Sequence, residues 1–221
     1  MNVLAIDTST EIASLALKVN HERFTLEEGQ QKTHAKLLLP LIDRLLTQAD
    51  VRVNQLDAIV FGRGPGSFTG LRVACSIAKG LAYAHDIRLV PVSTLAAIAF
   101  EARQQSSKDT AVLAVLDARM QEIYWSVYTS SCFQTTEHVS PASDIQLPQL
   151  YSFILAGVGF EPYIEAMPES IREQISEQRL VYPKASAMIE LAETGQFAAV
   201  SVNEARPVYI RNKVTQGDAR G

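Results

Sequence analysis

Phe61-Gly62-Arg63-Gly64-Pro65-Gly66-Ser67-Phe68-Thr69-Gly70-Leu71-Arg72 is the stretch on which the reading of this chain turns. The apolar run 56–61 before it reads as a buried strand, and the small-residue run 71–84 after it reads as a helix. Four glycines within nine residues let the backbone turn sharply and approach a neighbour closely. Ser67 or Thr69 is placed to cap the helix. Such a turn is also a natural anion cradle, because unpaired N–H groups and the helix dipole point out of it. The general phosphate motifs nevertheless fail. No lysine closes the loop as in a P-loop, and Thr69 stands where a dinucleotide fingerprint needs glycine. Pro65 occupies the position where a nucleophile elbow has glycine. A tight strand-to-helix turn and a phosphate cradle both stay open, and spacing favours the turn.

Working outward, Val3 to Ile6 reads as a strand ending at Asp7, followed by the polar turn Thr8-Ser9-Thr10. Ile12 to Val19 is a second strand, and Phe24 and Leu26 mark a short, charged third one near an edge. A helix is expected from Thr33 to Gln48, with Pro40 inside it. Its leucines cover more than one face, which calls for burial on two sides or for a partner. On the helix after the glycine loop, Gly70, Ala74, Ala78 and Ala82 recur every four residues and permit a close helix–helix approach. Leu89 to Val92 is a further strand, and a third helix runs from Ser93 or Thr94 to Arg103.

The second half repeats the first. Val112-Leu113-Ala114-Val115-Leu116-Asp117 echoes Val3 to Asp7, Ile123 to Tyr128 echoes the second strand, and Phe133 the third. Phe153 to Phe160, an apolar run into Gly157 and Gly159, echoes the strand and glycine turn at 58–64. The order of elements predicts a duplicated α/β unit with two mixed sheets, divided into residues 1–105 and a smaller lobe 106–221. Further on, a surface helix is expected over Tyr163–Glu177, a short strand at Leu180–Tyr182 and a helix at Ala185–Glu193, with a loose tail from Thr215.

The chain has 221 residues, 47% hydrophobic and 20% charged, with a net charge of −4 and no basic run. This lacks the electrostatic footprint of a protein that grips nucleic acid alone. Cys75 and Cys132 lie far apart in sequence, which suggests reduced thiols in a cytoplasm. Neither a signal peptide nor a membrane span is expected.

Two-lobed duplicated folds of the actin and sugar-kinase type hold ATP between the lobes, with a glycine-containing turn and an aspartate in each. Here Asp7-Thr8-Ser9-Thr10 keeps the aspartate and hydroxyls but lacks glycine, and Asp117-Ala118-Arg119-Met120-Gln121 has none either. The candidate phosphate site is therefore Asp7 and Thr8 with Gly62, Arg63, Gly64, Gly66, Ser67, Thr69 and Gly70. The competing reading makes Asp7 and Asp117 strand-end caps of backbone N–H groups. His21, His34, His85 and His138 form no helical metal pair. Glu122 reads as a hairpin charge, and no serine, histidine and acid set can be picked out.

Leu4-Ala5-Ile6-Asp7-Thr8-Ser9-Thr10, the loop from Gly62 to Arg72, Val92-Ser93-Thr94-Leu95, Leu116-Asp117-Ala118-Arg119 and Pro207-x-Tyr209-x-Arg211 together resemble the TsaB (formerly YeaZ) family. The resemblance implies an actin-like, RNase H-like two-lobed fold. It implies a subunit with no catalysis of its own beside the paralogous transferase TsaD and the small ATPase TsaE. Those partners place a threonylcarbamoyl group on N6 of the adenosine following the anticodon of tRNA. In TsaD-like proteins two histidines four apart hold the catalytic metal, and the corresponding residues here are Thr94 and Ile98, so no metal is expected. No tightly bound cofactor is implied; ATP or ADP is expected only at the joint surface with TsaD, and tRNA is met only through the complex. A homodimer is expected when TsaD is absent, on a surface drawn from His34, Leu38, Leu41 and Leu45 of one helix and Ala74, Ile77, Ala78 and Leu81 of the other. An independent ATPase of the actin and sugar-kinase kind is the alternative; a glycoprotease-like peptidase is a third reading with less support.

Overall fold

The computed structural model describes residues 1–29, 34–104, 106, 110–147 and 152–210. A continuous apolar run shapes the first strand, which is buried on both faces. β1 (Asn2–Asp7), β2 (Ala13–Val19) and β3 (Glu22–Glu28) form an antiparallel meander, with Ile6 opposite Leu15 and Asp7 opposite Ser14. After α1 (His34–Gln48), β4 (Ala58–Gly64) pairs parallel to β1 on its other side. The glycine loop then leads into α2 (Phe68–His85), β5 (Arg88–Ser93) and α3 (Thr94–Gln104). The first sheet thus has the order β3-β2-β1-β4-β5.

The second sheet repeats that order. β6 (Ala111–Asp117), β7 (Glu122–Tyr128), β8 (His138–Pro141), β9 (Phe153–Val158) and β10 (Ile175–Leu180) lie as β8-β7-β6-β9-β10. This is the duplicated α/β arrangement that the order of elements predicts, and it agrees with the actin-like fold that the family resemblance implies. Its second copy is reduced. Where α2 has 18 residues, the second lobe has a 3-10 segment, Glu161–Ala166, and the four-residue α4 (Glu169–Arg172).

Three local expectations are corrected. The stretch 163–177 is not one helix; Pro168 breaks it, and Ile175 already belongs to β10. That strand ends at Leu180 rather than starting there. The third strand of the second meander is β8, whereas Phe133 leaves the sheet to stack beside Tyr128 and Phe100 in the core. Thr33 and the tail from Thr215 lie outside the described residues.

Each face of the first sheet has a different cover. Leu4, Ile6, Ile59 and Phe61 point to the side of α1 and α2 and meet Leu38, Ile42, Leu45, Ala74 and Ala78. Val3, Ala5, Val60 and Val92 point the other way, into a core shared with Val112, Ala114 and Ile154 of the second sheet. Two helices are exchanged within that shared core. The first half's α3 packs on β6, β7 and β9, and α5 (Ala185–Glu193) returns to pack on β1, β2 and β4. Ala185 N donates to Ser14 Oγ at 3.0 Å, and Lys18–Glu193 and Arg23–Glu190 ion pairs tie α5 to the first meander.

Candidate functional site: the cleft between the lobes

The ends of β1, β4, β6 and β9 meet at one cleft of about 730 Å³. Its walls are the turn 9–11, the loop 65–67 with the start of α2, the turn 117–120, Val158 and Gly159, and residues 208–210. The duplication is visible in its chemistry. Asp7 Oδ1 accepts from Ser9 N at 3.0 Å, and Asp117 Oδ1 accepts from Arg119 N at 2.8 Å, the same strand-end turn in each lobe. Each aspartate is also approached by a glycine. A Cβ on Gly62 would lie 1.8 Å from Asp7 Oδ2, and one on Gly159 would lie 2.9 Å from Asp117 Cβ.

The two aspartates differ in exposure. Asp117 is partly open to the cleft and accepts from Tyr163 Oη at 2.9 Å. Asp7 is fully buried; Ser9 Oγ donates to its Oδ1 at 2.7 Å, and its Oδ2 has no hydrogen-bond partner. Burial pushes its carboxyl up to about 6 from an ordinary 3.8, and the Ser9 hydrogen bonds offset only part of that.

The glycine loop approaches the chain itself. Ser67 N donates to Ser9 O at 2.7 Å, and a Cβ on Gly66 would meet Ser9 O at 2.5 Å. Thr8 Oγ1 donates to Gly70 O at 2.7 Å, and a Cβ on Gly70 would meet Thr8 O at 1.8 Å. Ser67 Oγ caps α2 by accepting from Gly70 N at 3.3 Å. The spacing therefore serves a tight packing of the loop on the turn 7–10. Of the nine candidate phosphate residues, Gly66, Ser67 and Thr69 line the cleft, while Asp7, Thr8, Gly62 and Gly70 lie behind its wall. Gly64 packs on Val208 O.

Arg63 faces elsewhere. Its guanidinium makes a two-pronged ion pair with Glu137 of the second lobe, at 3.0 and 3.1 Å. Ser93 Oγ also donates to Glu137, and Tyr128 Oη lies 3.3 Å from Ser93 Oγ. Burial first, then the Glu137 carboxylate, pushes the Tyr128 phenol up to about 12. Glu137 was not identifiable beforehand, because its segment carries no strand or helix pattern and its partner is 74 residues away. Thr94 and Ile98 are both fully buried in the shared core. Among the described residues no histidine lines the cleft, and the Ser9 and Ser67 hydroxyls are engaged with Asp7 and the Gly70 amide.

The residues named for a partner surface divide by burial. Leu38, Leu45, Ala74 and Ala78 belong to the lobe's own core and are corrected from surface to interior, since each meets the β-sheet beneath α1 and α2. Leu41, Ile77 and Leu81 are half-buried and pack at the margin of the same core. The side chain of His34 lies outside the described residues. Missed beforehand were Leu39 and Tyr83, which are 53% and 82% exposed on the same two helices.

Known proteins share this architecture and sequence. Residues 27–202 match the family model of TsaD, described as tRNA N6-adenosine threonylcarbamoyltransferase. The tRNA threonylcarbamoyladenosine biosynthesis protein TsaB of Haemophilus influenzae is 36% identical over 97% of this chain and 95% of its own length. Its namesake in Escherichia coli is 33% identical over 97% and 96%. The chain belongs to the TsaB family. The structure of YeaZ from Pseudomonas aeruginosa superposes with a TM-score of 0.85 at 34% identity, covering 94% of this chain and 99% of that one. A second structure, an uncharacterized protein with similarity to peptidase YeaZ from the same organism, gives 0.87, also at 34% identity, over 95% and 99%. No helix among the described residues is long and apolar enough to cross a membrane.

Proposed function

We propose that the protein serves tRNA threonylcarbamoyladenosine synthesis as a non-catalytic subunit that binds the paralogous transferase TsaD, with TsaE, in the cytoplasm. The observation that carries this reading is that Leu41, Ile77 and Leu81 pack against the core of the α1–α2 pair while staying only half-buried, and that Leu39 and Tyr83 elsewhere on the same helices stand out into solvent. Apolar side chains left partly open on two packed helices mark a binding face. A second copy of the chain docks on the same face when TsaD is absent, so the two complexes compete. The family and the relatives' names supply the pathway; the cleft supports the absence of independent chemistry. Its loop is packed on its own turn, and the Asp7 carboxylate is sealed from it. A nucleotide, ATP or ADP, belongs in this reading to the joint surface with TsaD, and tRNA is met through the complex.

The deciding experiment mixes purified protein with TsaD, TsaE and tRNA. Leu81→Glu is expected to stay folded, to lose at least tenfold in affinity for TsaD and to lose tRNA modification. Wild-type affinity in Leu41→Glu, Ile77→Glu and Leu81→Glu, all folded, places the interface elsewhere. Magnesium-dependent ATP turnover by the isolated protein would return the independent ATPase reading.

A further inference from the structure

The last described stretch, 199–210, leaves the second half of the chain and runs over the first lobe. Val200 N donates to Leu89 O at 2.8 Å on β5, the outer strand of the first sheet. Ala205 is 2% exposed, within the core under α2, and its carbonyl accepts from Lys79 Nζ at 3.0 Å. Val208 N then donates to Arg63 O at 2.7 Å. Arg72 Nε donates to Tyr209 Oη at 2.9 Å. From 205 to 209 the contacts on α2 move back from Lys79 to Arg72. Seven helical residues rise about 10.5 Å and four extended residues span about 13 Å, so the segment lies antiparallel along the helix.

Its two ends are held differently. The Ala205 end is in the core. The far end rests on side chains that are themselves open to water, since Phe68 and Tyr209 are each 43% exposed. The Arg72 guanidinium lies 3.6 Å above the Phe68 ring and 5.7 Å from the Tyr209 ring, and the two rings are 5.3 Å apart. Planar stacking of this kind suits arginine and is lost with lysine. Val208, Tyr209 and Ile210 form one wall of the cleft.

We propose that residues 206–210 are a strap across the interlobe cleft, anchored at Ala205 and latched by the contacts of Tyr209 with Arg72 and Phe68, so that release of the latch frees that wall. Contacts on an exposed surface open more readily than core contacts, and the opening is local rather than global. The strap stands independently of any partner on the α1–α2 face.

The test uses the free full-length chain and two readouts, amide hydrogen exchange and site-resolved chymotrypsin cleavage after residue 209. In Arg72→Ala, protection of the Val208 amide is expected to fall at least tenfold and cleavage after Tyr209 to accelerate by a similar factor. Exchange in β4 and in residues 200–205 should stay within twofold of wild type. Arg72→Lys, which keeps the charge but not the planar stack, should behave as the alanine variant does. Tyr209→Phe, which keeps the ring but not the hydroxyl, should fall between. Protection at Val208 within twofold of wild type in both Arg72 variants overturns the latch. Equal loss of protection in β4 and in the strap overturns it too, because Arg72 would then be a general stability residue.

Discussion

Gly62 passes Asp7 so closely that a Cβ on it would lie 1.8 Å from Asp7 Oδ2 and 3.0 Å from Cγ. The carboxylate is thereby sealed against β4 with Met188 of α5 nearby, instead of facing the cleft. Backbone and a buried acid cannot both yield here. Gly62→Ala should cost about 3 kcal/mol or more, at the upper end of overpacking effects. Urea denaturation measures it. Shortening the neighbour in Asp7→Ser should recover part of the loss, and a double-mutant cycle showing no coupling between the two positions would contradict this contact.

The same burial makes a pH prediction. The native carboxyl of Asp7 holds its proton to about pH 6, whereas the unfolded chain releases it near 3.8. Between those values the native state binds more protons than the unfolded state, so this group's contribution to stability falls as pH rises through that window. It is complete below about pH 4, and the loss levels off above about pH 6 at about 3 kcal/mol. Asp7→Asn removes the titration. The stability difference between wild type and this variant should therefore change with pH from 4 to 6 and be flat from 7 to 8. A difference that is flat throughout would mean the carboxyl titrates normally.

The Arg63–Glu137 pair joins the lobes, and the Glu137 side chain is only 6% exposed. Removing one partner leaves the other charge poorly solvated, which is worse than removing both. Glu137→Ala should cost about 2–3 kcal/mol, discounted because the Arg63 side chain is 23% exposed. Arg63→Met combined with Glu137→Leu should be less destabilised than Glu137→Ala alone. Thermal denaturation of the three chains decides the order.

Leu45 and Leu81 separate core from surface on the helix pair. Leu45 is fully buried, so Leu45→Glu should abolish cooperative folding, because an unpaired charge has no solvent there. Leu81→Glu should unfold within about 1 kcal/mol of wild type, as a half-buried position allows. Circular dichroism with urea distinguishes them. A Leu81→Glu chain that is as unstable as Leu45→Glu would place Leu81 in the core as well.

The apolar run Val3 to Ile6, its echo at 112–116, and the strand–glycine–helix order around Gly62 determined the duplicated α/β fold. Local periodicity says which face of a strand is apolar, and sequence order says which element comes next along the chain. Those signals are short-range and survive without coordinates. They also narrowed the cap of α2 to Ser67 or Thr69, since a cap acts within three residues, and the fold selected Ser67. What they could not decide was what each close approach was aimed at. Only the folded chain showed that Gly66 and Gly70 press on the backbone of residues 8 and 9, that Arg63 pairs with Glu137, and that α5 closes over the first sheet. It also sorted Leu38 and Leu45 from Leu41, because a helix with leucines on several faces becomes an interior and an exterior only when a particular sheet covers one of them. Tyr209 was visible as part of a pattern, yet its place against Arg72 depends on a chain return across 137 residues, and no local rule records that distance.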